Sequence, residues 1–178
     1  MNLLHSTKAF IDDQYINVVI EVPLGSTAKV EYDLNEENFI TDRSLQPQYS
    51  YPFNYGFIPE TWSGDNDPLD AIVISSRTFS TGHIAKTRII GMLVTHDEEG
   101  SDTKLITVPD SVTDPAMANI NTVDDLGQEF LAKIEYFYKN YKLIEPGKWV
   151  DIDGYHSREE AYQLMQNSIE NYHQHFNK

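Results

Sequence analysis

Residues 88–108 run Arg88-Ile89-Ile90-Gly91-Met92-Leu93-Val94-Thr95-His96-Asp97-Glu98-Glu99-Gly100-Ser101-Asp102-Thr103-Lys104-Leu105-Ile106-Thr107-Val108. Two runs rich in β-branched residues, 88–95 and 104–108, enclose Glu98-Glu99-Gly100-Ser101, which reads as the tip of a hairpin. Asp97 and Asp102 flank that tip, so both carboxylates belong at one end of a sheet. Lys104 lies two residues beyond Asp102 and shares its face once the strand has begun.

Further strand-like runs fall at 18–22, 29–34, 39–41 and 71–75, and all of them precede two helical patterns. Leu126, Phe130, Ile134, Phe137 and Tyr141 recur at three- and four-residue steps, predicting an amphipathic helix from Thr122 with Asp124 and Asp125 in its first turn. Ser157 and Glu160 form a capping box before a second helix, which carries Ala161, Leu164, Met165, Ile169, Tyr172 and Phe176 on one face. Strands first and helices last predict an α+β chain with a mainly β core, a twisted antiparallel sheet or small barrel with helices outside. The segment 49–59 holds three tyrosines, two phenylalanines and two prolines, which predicts a stiff extended wall rather than a helix.

At 178 residues and 40% hydrophobic, the chain can bury one substantial core, and a single domain over 1–178 is expected. Its 28 acidic and 13 basic residues give a formal charge of -15, which repels nucleic acid and anionic membranes. Cysteine is absent, so thiolate metal sites and cysteine nucleophiles are excluded. No stretch approaches the ~20 apolar residues of a membrane helix, and a soluble cytoplasmic protein with no membrane partner is expected.

Three aspartates crowd the run Asp65-Asn66-Asp67-Pro68-Leu69-Asp70, directly before the apolar residues Ala71-Ile72-Val73-Ile74. In an extended chain Asp65 and Asp67 point the same way, and Pro68 can turn the chain and bring Asp70 back. Carboxylates this close repel unless cations sit between them, and an oxygen-only cluster suits hard ions. A surface turn through Ser63-Gly64-Asp65-Asn66 explains the same composition, so both readings stand. An EF-hand does not, because the sixth and twelfth loop positions would be Asp70 and Ser76 instead of Gly and Glu.

Other residues stand out singly. Glu21 interrupts an apolar strand, and a buried carboxylate needs a partner. Lys29 and Glu31 share a strand face, Arg43 follows Asp42 at the end of a short strand, and Tyr141 and Lys142 end the first helix, where a cation also complements the helix dipole. The six histidines form no ligand pattern, and neither a G-x-x-x-x-G-K phosphate loop nor a G-x-S-x-G elbow is present.

Taken together, Glu21, Lys29-x-Glu31, Asp42-Arg43, Tyr51-Pro52-x-Asn54-Tyr55-Gly56, Asp65-x-Asp67-Pro68-x-Asp70, Asp97, Asp102-x-Lys104 and Tyr141-Lys142 resemble the soluble family I inorganic pyrophosphatases, short prokaryotic type, over nearly the whole chain. The resemblance implies a distorted five-stranded OB-like barrel with two principal flanking helices. It implies hydrolysis of inorganic diphosphate to two phosphates by direct attack of a metal-activated water. Several Mg²⁺ ions per site are implied as cofactor, with Mn²⁺ or Zn²⁺ as alternative ions, and Asp65, Asp70, Asp97 and Asp102 as their ligands. Glu21 and Glu31 resemble further site carboxylates and Asp67 the general base. Lys29, Arg43, Tyr55, Lys104, Tyr141 and Lys142 resemble the residues that hold substrate. The implied assembly is a homohexamer, a dimer of trimers, although Tyr136 and Asn140 stand where some members carry histidine. Two rival classes are a non-catalytic cation buffer using the same carboxylates and an OB-type single-strand binder using the aromatics of 49–59.

Overall fold

A computed structural model describes residues 1–176. Among these residues eight strands form: β1 (Ile16–Val22), β2 (Ala28–Asp33), β3 (Asn38–Ser44), β4 (Asn54–Phe57), β5 (Asp70–Val73), β6 (Ile84–Asp97), β7 (Gly100–Pro109) and β8 (Val150–His156). Three helices accompany them, a single turn α1 (Leu3–Ser6) and the two main helices α2 (Gln128–Asn140) and α3 (Arg158–Phe176). One sheet has the order β1-β4-β5-β7-β6-β8, and a further pairing of β1 with β6 closes its first five strands into an uneven ring, a distorted barrel. β2 and β3 stand apart as a two-stranded ribbon.

Ring closure depends on the length of β6. Its first part pairs with β1 from Ile84 to Thr87, its last part pairs with β8 from Met92 to Asp97, and between them a bulge at Ile90 interrupts its register with β7; a second irregularity, opposite Val94 and Thr95, belongs to β8. A bulge bends its strand and sharpens the twist, which lets one long strand serve two partners. The sheet is antiparallel except between β5 and β7, which run parallel. That exception departs from the purely antiparallel expectation, and the connection from β5 to β7 by way of β6 makes it possible.

Alternation along the strands sorts the core into two layers. Ile72, Ile90, Leu93, Ile106 and Val108 pack with Leu131, Ile134, Phe137 and Tyr138 of α2. Their sequence neighbours Ala71, Val73, Ile89 and Leu105 pack on the other face with Ala161 and Met165 of α3.

Three further details go beyond or against the sequence reading. A helix from Thr122 becomes a short 3-10 turn, Val123–Leu126, whose capping box is made by Thr122 and Asp125. Gly127 then takes φ +79, a left-handed conformation that breaks the run before α2. Within 49–59 the extended wall includes a true strand, β4, preceded by a 3-10 turn at Pro47–Tyr49. Finally, β8 has no counterpart among the predicted strands. The Ser157–Glu160 capping box is present, with Glu160 N–H 3.2 Å from Ser157 Oγ and Ser157 N–H 3.0 Å from Glu160 Oε2.

Candidate active site

The loop from β4 to β5 carries the aspartate run. Asn66 donates its N–H to the Ser63 carbonyl at 3.2 Å and adopts φ +65, while the Asp67 N–H reaches Asp65 Oδ1 at 3.2 Å. The chain therefore makes the surface turn as well as the acidic cluster. Leu69 anchors it: its side chain is buried, and its N–H donates to Thr61 Oγ1 at 2.9 Å. Asp70 follows as the first residue of β5, opposite Phe57 of β4.

Parallel pairing then sets Leu105 of β7 beside Ala71, so Lys104 arrives next to Asp70. Its ammonium lies 3.0 Å from Asp70 Oδ2, 2.8 Å from Asp102 Oδ1 and 3.2 Å from the Tyr55 hydroxyl, with a side chain only 3% exposed. Burial opposes the charge, but the two carboxylates overcome it and hold Lys104 well above lysine's ordinary range.

The β2–β3 ribbon supplies a second wall. Lys29 and Arg43 are register partners, and Lys29 contacts both Glu31 and, at 3.3 Å, Asp42. Arg43 Nε donates to Asp42 Oδ2 at 2.7 Å, and its other arm meets Glu145 from the segment after α2. Burial works against the Arg43 charge; the Asp42 hydrogen bond and the Asp42 and Glu145 charges outweigh it. From the β6–β7 hairpin, Asp97 accepts a 2.7 Å hydrogen bond from Lys142, whose pull overcomes burial and keeps the Asp97 carboxyl low. Lys148 binds Glu98 at 2.6 Å on the same tip.

These walls enclose one cleft of about 350 Å³, and all thirteen residues singled out from the sequence line it: Glu21, Lys29, Glu31, Arg43, Tyr55, Asp65, Asp67, Asp70, Asp97, Asp102, Lys104, Tyr141 and Lys142. Asp42, Tyr51, Glu99, Tyr138 and Lys148 join them. Tyr138 was within reach of sequence reasoning, since it sits three residues before Tyr141 on the same helical face. Lys148 had no local signal.

Nine carboxylates face five cations around the cleft. Glu21 is buried, accepts the Tyr32 N–H at 2.8 Å and is pushed up to about 8, chiefly by burial. Asp65 and Asp67 lie on the open rim, yet their cleft side is shielded from water; that shielding and the neighbouring carboxylates push Asp67 up to about 6 and raise Asp65 as well. Among the described residues no lysine or arginine comes within ion-pair distance of Asp65 or Asp67. An oxygen-only donor set with surplus negative charge fits a hard divalent cation. No three of these carboxylates converge on one point among the described residues; Asp70 and Asp102 converge on Lys104 instead.

Comparison with known proteins gives the arrangement its context. The family model described as "Inorganic pyrophosphatase" matches residues 18–173. The inorganic pyrophosphatase of Saccharolobus solfataricus is 47% identical over 155 residues, 87% of this chain and 90% of that one. Among solved structures, the inorganic pyrophosphatase of Thermus thermophilus superposes with a TM-score of 0.91 at 34% identity, covering 97% of this chain and 99% of that one. The enzyme of Helicobacter pylori superposes at 0.89 with 37% identity, covering 94% and 99%. With sequence, fold and cleft in agreement, the chain belongs to the inorganic pyrophosphatase family, hydrolases that use divalent metal ions to split diphosphate into two phosphates.

Proposed function

We propose that the cleft hydrolyses inorganic diphosphate with Mg²⁺ as its working metal, Asp67 as general base and Lys29, Arg43, Lys104, Lys142, Tyr55 and Tyr141 as the substrate's ligands. The observation that carries this reading is the interleaving of five cations with nine carboxylates in one cleft. A cation buffer has no use for the five basic groups, and a phosphate-binding pocket alone has no use for the nine acids. Diphosphate with divalent ions uses both.

Asp65, Asp70, Asp97 and Asp102 are the residues that would hold the metal. When bound, the ions supply positive charge to the phosphoryl oxygens and polarise the attacking water. The protein's own contribution is orientation and proton transfer. Arg43 presents a planar fork suited to phosphoryl oxygens. Lys104, kept protonated at the floor by Asp70 and Asp102, offers a fixed positive charge. Tyr55 and Tyr141 are held in the phenol form by burial and can only donate or share their protons with phosphate oxygens. The Asp67 carboxylate, shifted toward neutrality, accepts a proton from water as the phosphoanhydride bond breaks and the leaving phosphate departs.

Nucleic-acid binding through 49–59 loses support, because Tyr51, Phe53 and Phe57 are buried and the two half-buried rings, Tyr49 and Tyr55, line different depressions and form no continuous stacking surface. No helix among the described residues is long and apolar enough to cross a membrane. The absence of cysteine supports a cytoplasmic setting. Side chains from β1 through the segment after α2 meet in the one cleft, which supports 1–178 acting as a single domain. A closed homohexamer remains our reading of the assembly, supported by the exposed Tyr136 on α2 beside an apolar groove that includes Tyr49, Pro52, Ala132 and Phe137.

The experiment for this reading compares phosphate release from diphosphate and from an organic phosphate monoester in Mg²⁺. Diphosphate should be strongly preferred; equal rates on both would remove the proposed selectivity. Lys142→Gln should raise KM for diphosphate by roughly tenfold, the scale of one charged hydrogen bond, while tight Mg²⁺ affinity is kept. A change in thermal stability alone would leave Lys142 as a complement to the helix end.

A further inference from the structure

Two nitrogens of the Arg43 guanidinium are already engaged by carboxylates, Nε by Asp42 and Nη1 by Glu145. Asp42, its sequence neighbour, takes Nε at 2.7 Å and is held in turn by Lys29 at 3.3 Å, so that contact belongs to the ribbon itself. Glu145 is different. It reaches Arg43 from 102 positions away, on the segment 141–149 that joins α2 to β8.

Beyond Tyr141, which is buried against Phe137, that segment is lightly anchored. Between its ends its backbone is held by turn hydrogen bonds, Leu143 to Asn140, Glu145 to Lys142 and Lys148 to Glu145, each at 3.0 to 3.1 Å, while the Tyr141 N–H still donates to the Phe137 carbonyl at 2.9 Å and the Trp149 N–H reaches Glu98 Oε2 at 3.4 Å. Leu143 and Ile144 are 58% and 52% exposed, so no core contact fixes them. Side-chain ion pairs complete the attachment: Lys142 with Asp97, Lys148 with Glu98 and Glu99, and Glu145 with Arg43. Of these only Glu145 brings a negative charge to a cation that also faces the cleft. A carboxylate oxygen and a phosphoryl oxygen are alike as acceptors for a guanidinium N–H, so Glu145 and phosphate compete for Arg43 Nη1.

We propose that Glu145 is a positioning residue that competes with phosphate for Arg43, giving way when diphosphate binds and returning to speed the release of product phosphate. This rests on Arg43 being a phosphate ligand. The bond that breaks on release is the Arg43–phosphate hydrogen bond, the one that forms is Arg43–Glu145, and no proton changes hands. Competition of this kind weakens the hold on both substrate and product, and it favours turnover because a tightly held product would slow the cycle.

The test measures the affinity of inorganic phosphate by calorimetric titration in saturating Mg²⁺, together with KM and kcat for diphosphate. Glu145→Gln should bind phosphate roughly tenfold more tightly, the scale of one charged hydrogen bond, with KM lowered in parallel and kcat reduced severalfold. Glu145→Asp, which keeps the charge, should stay close to the wild type. In an Arg43→Lys background the tightening caused by Glu145→Gln should vanish, since the two residues act as a pair. Phosphate affinity that is unchanged or weaker in Glu145→Gln, while Arg43→Lys alone weakens it, would overturn the competition and leave Arg43 as a ligand. Affinity untouched by Arg43→Lys would overturn both.

Discussion

Asp67→Asn should lower turnover of diphosphate by roughly 10²- to 10⁴-fold, the range typical of losing a general base, with tight Mg²⁺ affinity little changed. Asp70→Asn should behave differently although it lies three residues away. Asp70 faces Lys104 across 3.0 Å at the floor of the cleft and opens strand β5. As a proposed metal ligand, it should lose Mg²⁺ affinity and turnover together. Asp67 sits on the open rim of the same turn, raised by partial shielding from water and by Asp65, Asp70 and Glu31 around it, with Lys29 as a weaker counterweight. Metal titration of both variants beside their pH–rate profiles separates the roles. Equal loss of tight Mg²⁺ affinity in the two would make Asp67 a ligand and remove the base.

Gly56→Ala should cost the fold at least about 3 kcal/mol, at the upper end of what overpacking a tight contact does. Gly56 pairs with Ile20 between β4 and β1, and a Cβ added there would stand 1.9 Å from the Val19 carbonyl oxygen and 2.8 Å from its carbon. Both are backbone atoms that cannot swing aside. The methyl group would push β4 off β1, opening the ring and displacing Tyr55 next door. For a chain of this length such a loss lowers the thermal midpoint by roughly 6–12 °C. A midpoint within a degree or two of the wild type would mean that β1 and β4 separate more easily than their register implies.

The parts of the fold legible in the sequence were those with local, repetitive signals. Val18, Ile20, Ile72, Ile89 and Ile106 sit in β-branched runs that read as strands, and the helical faces of Ile134 and Phe137 recur at regular steps. β8 escaped because Asp151, Asp153 and Gly154 dilute its apolar residues; it lies at the sheet's outer edge, paired only with β6, where charged side chains remain in water. The early helix start failed on a single residue, since the periodicity through Leu126 continues past Gly127 while its backbone does not.

The site divides along the same line. Asp65, Asp67, Asp70 and the pair Asp102 and Lys104 are close in sequence, so their spacing alone brings them near one another. Lys104 with Asp70 depends on the parallel pairing of β5 and β7, and Arg43 with Glu145 on a chain excursion of 102 residues. Neither can be read from periodicity. The family resemblance supplied Arg43 as a site residue, whereas its Glu145 contact became visible only in three dimensions.

The most direct measurement of the central claim, that this is a metal-dependent diphosphate hydrolase, is phosphate release from diphosphate before chelation, after complete chelation of divalent ions, and after Mg²⁺ is returned. Activity should fall to background with chelator and recover with Mg²⁺. Undiminished turnover in the fully chelated protein would contradict it.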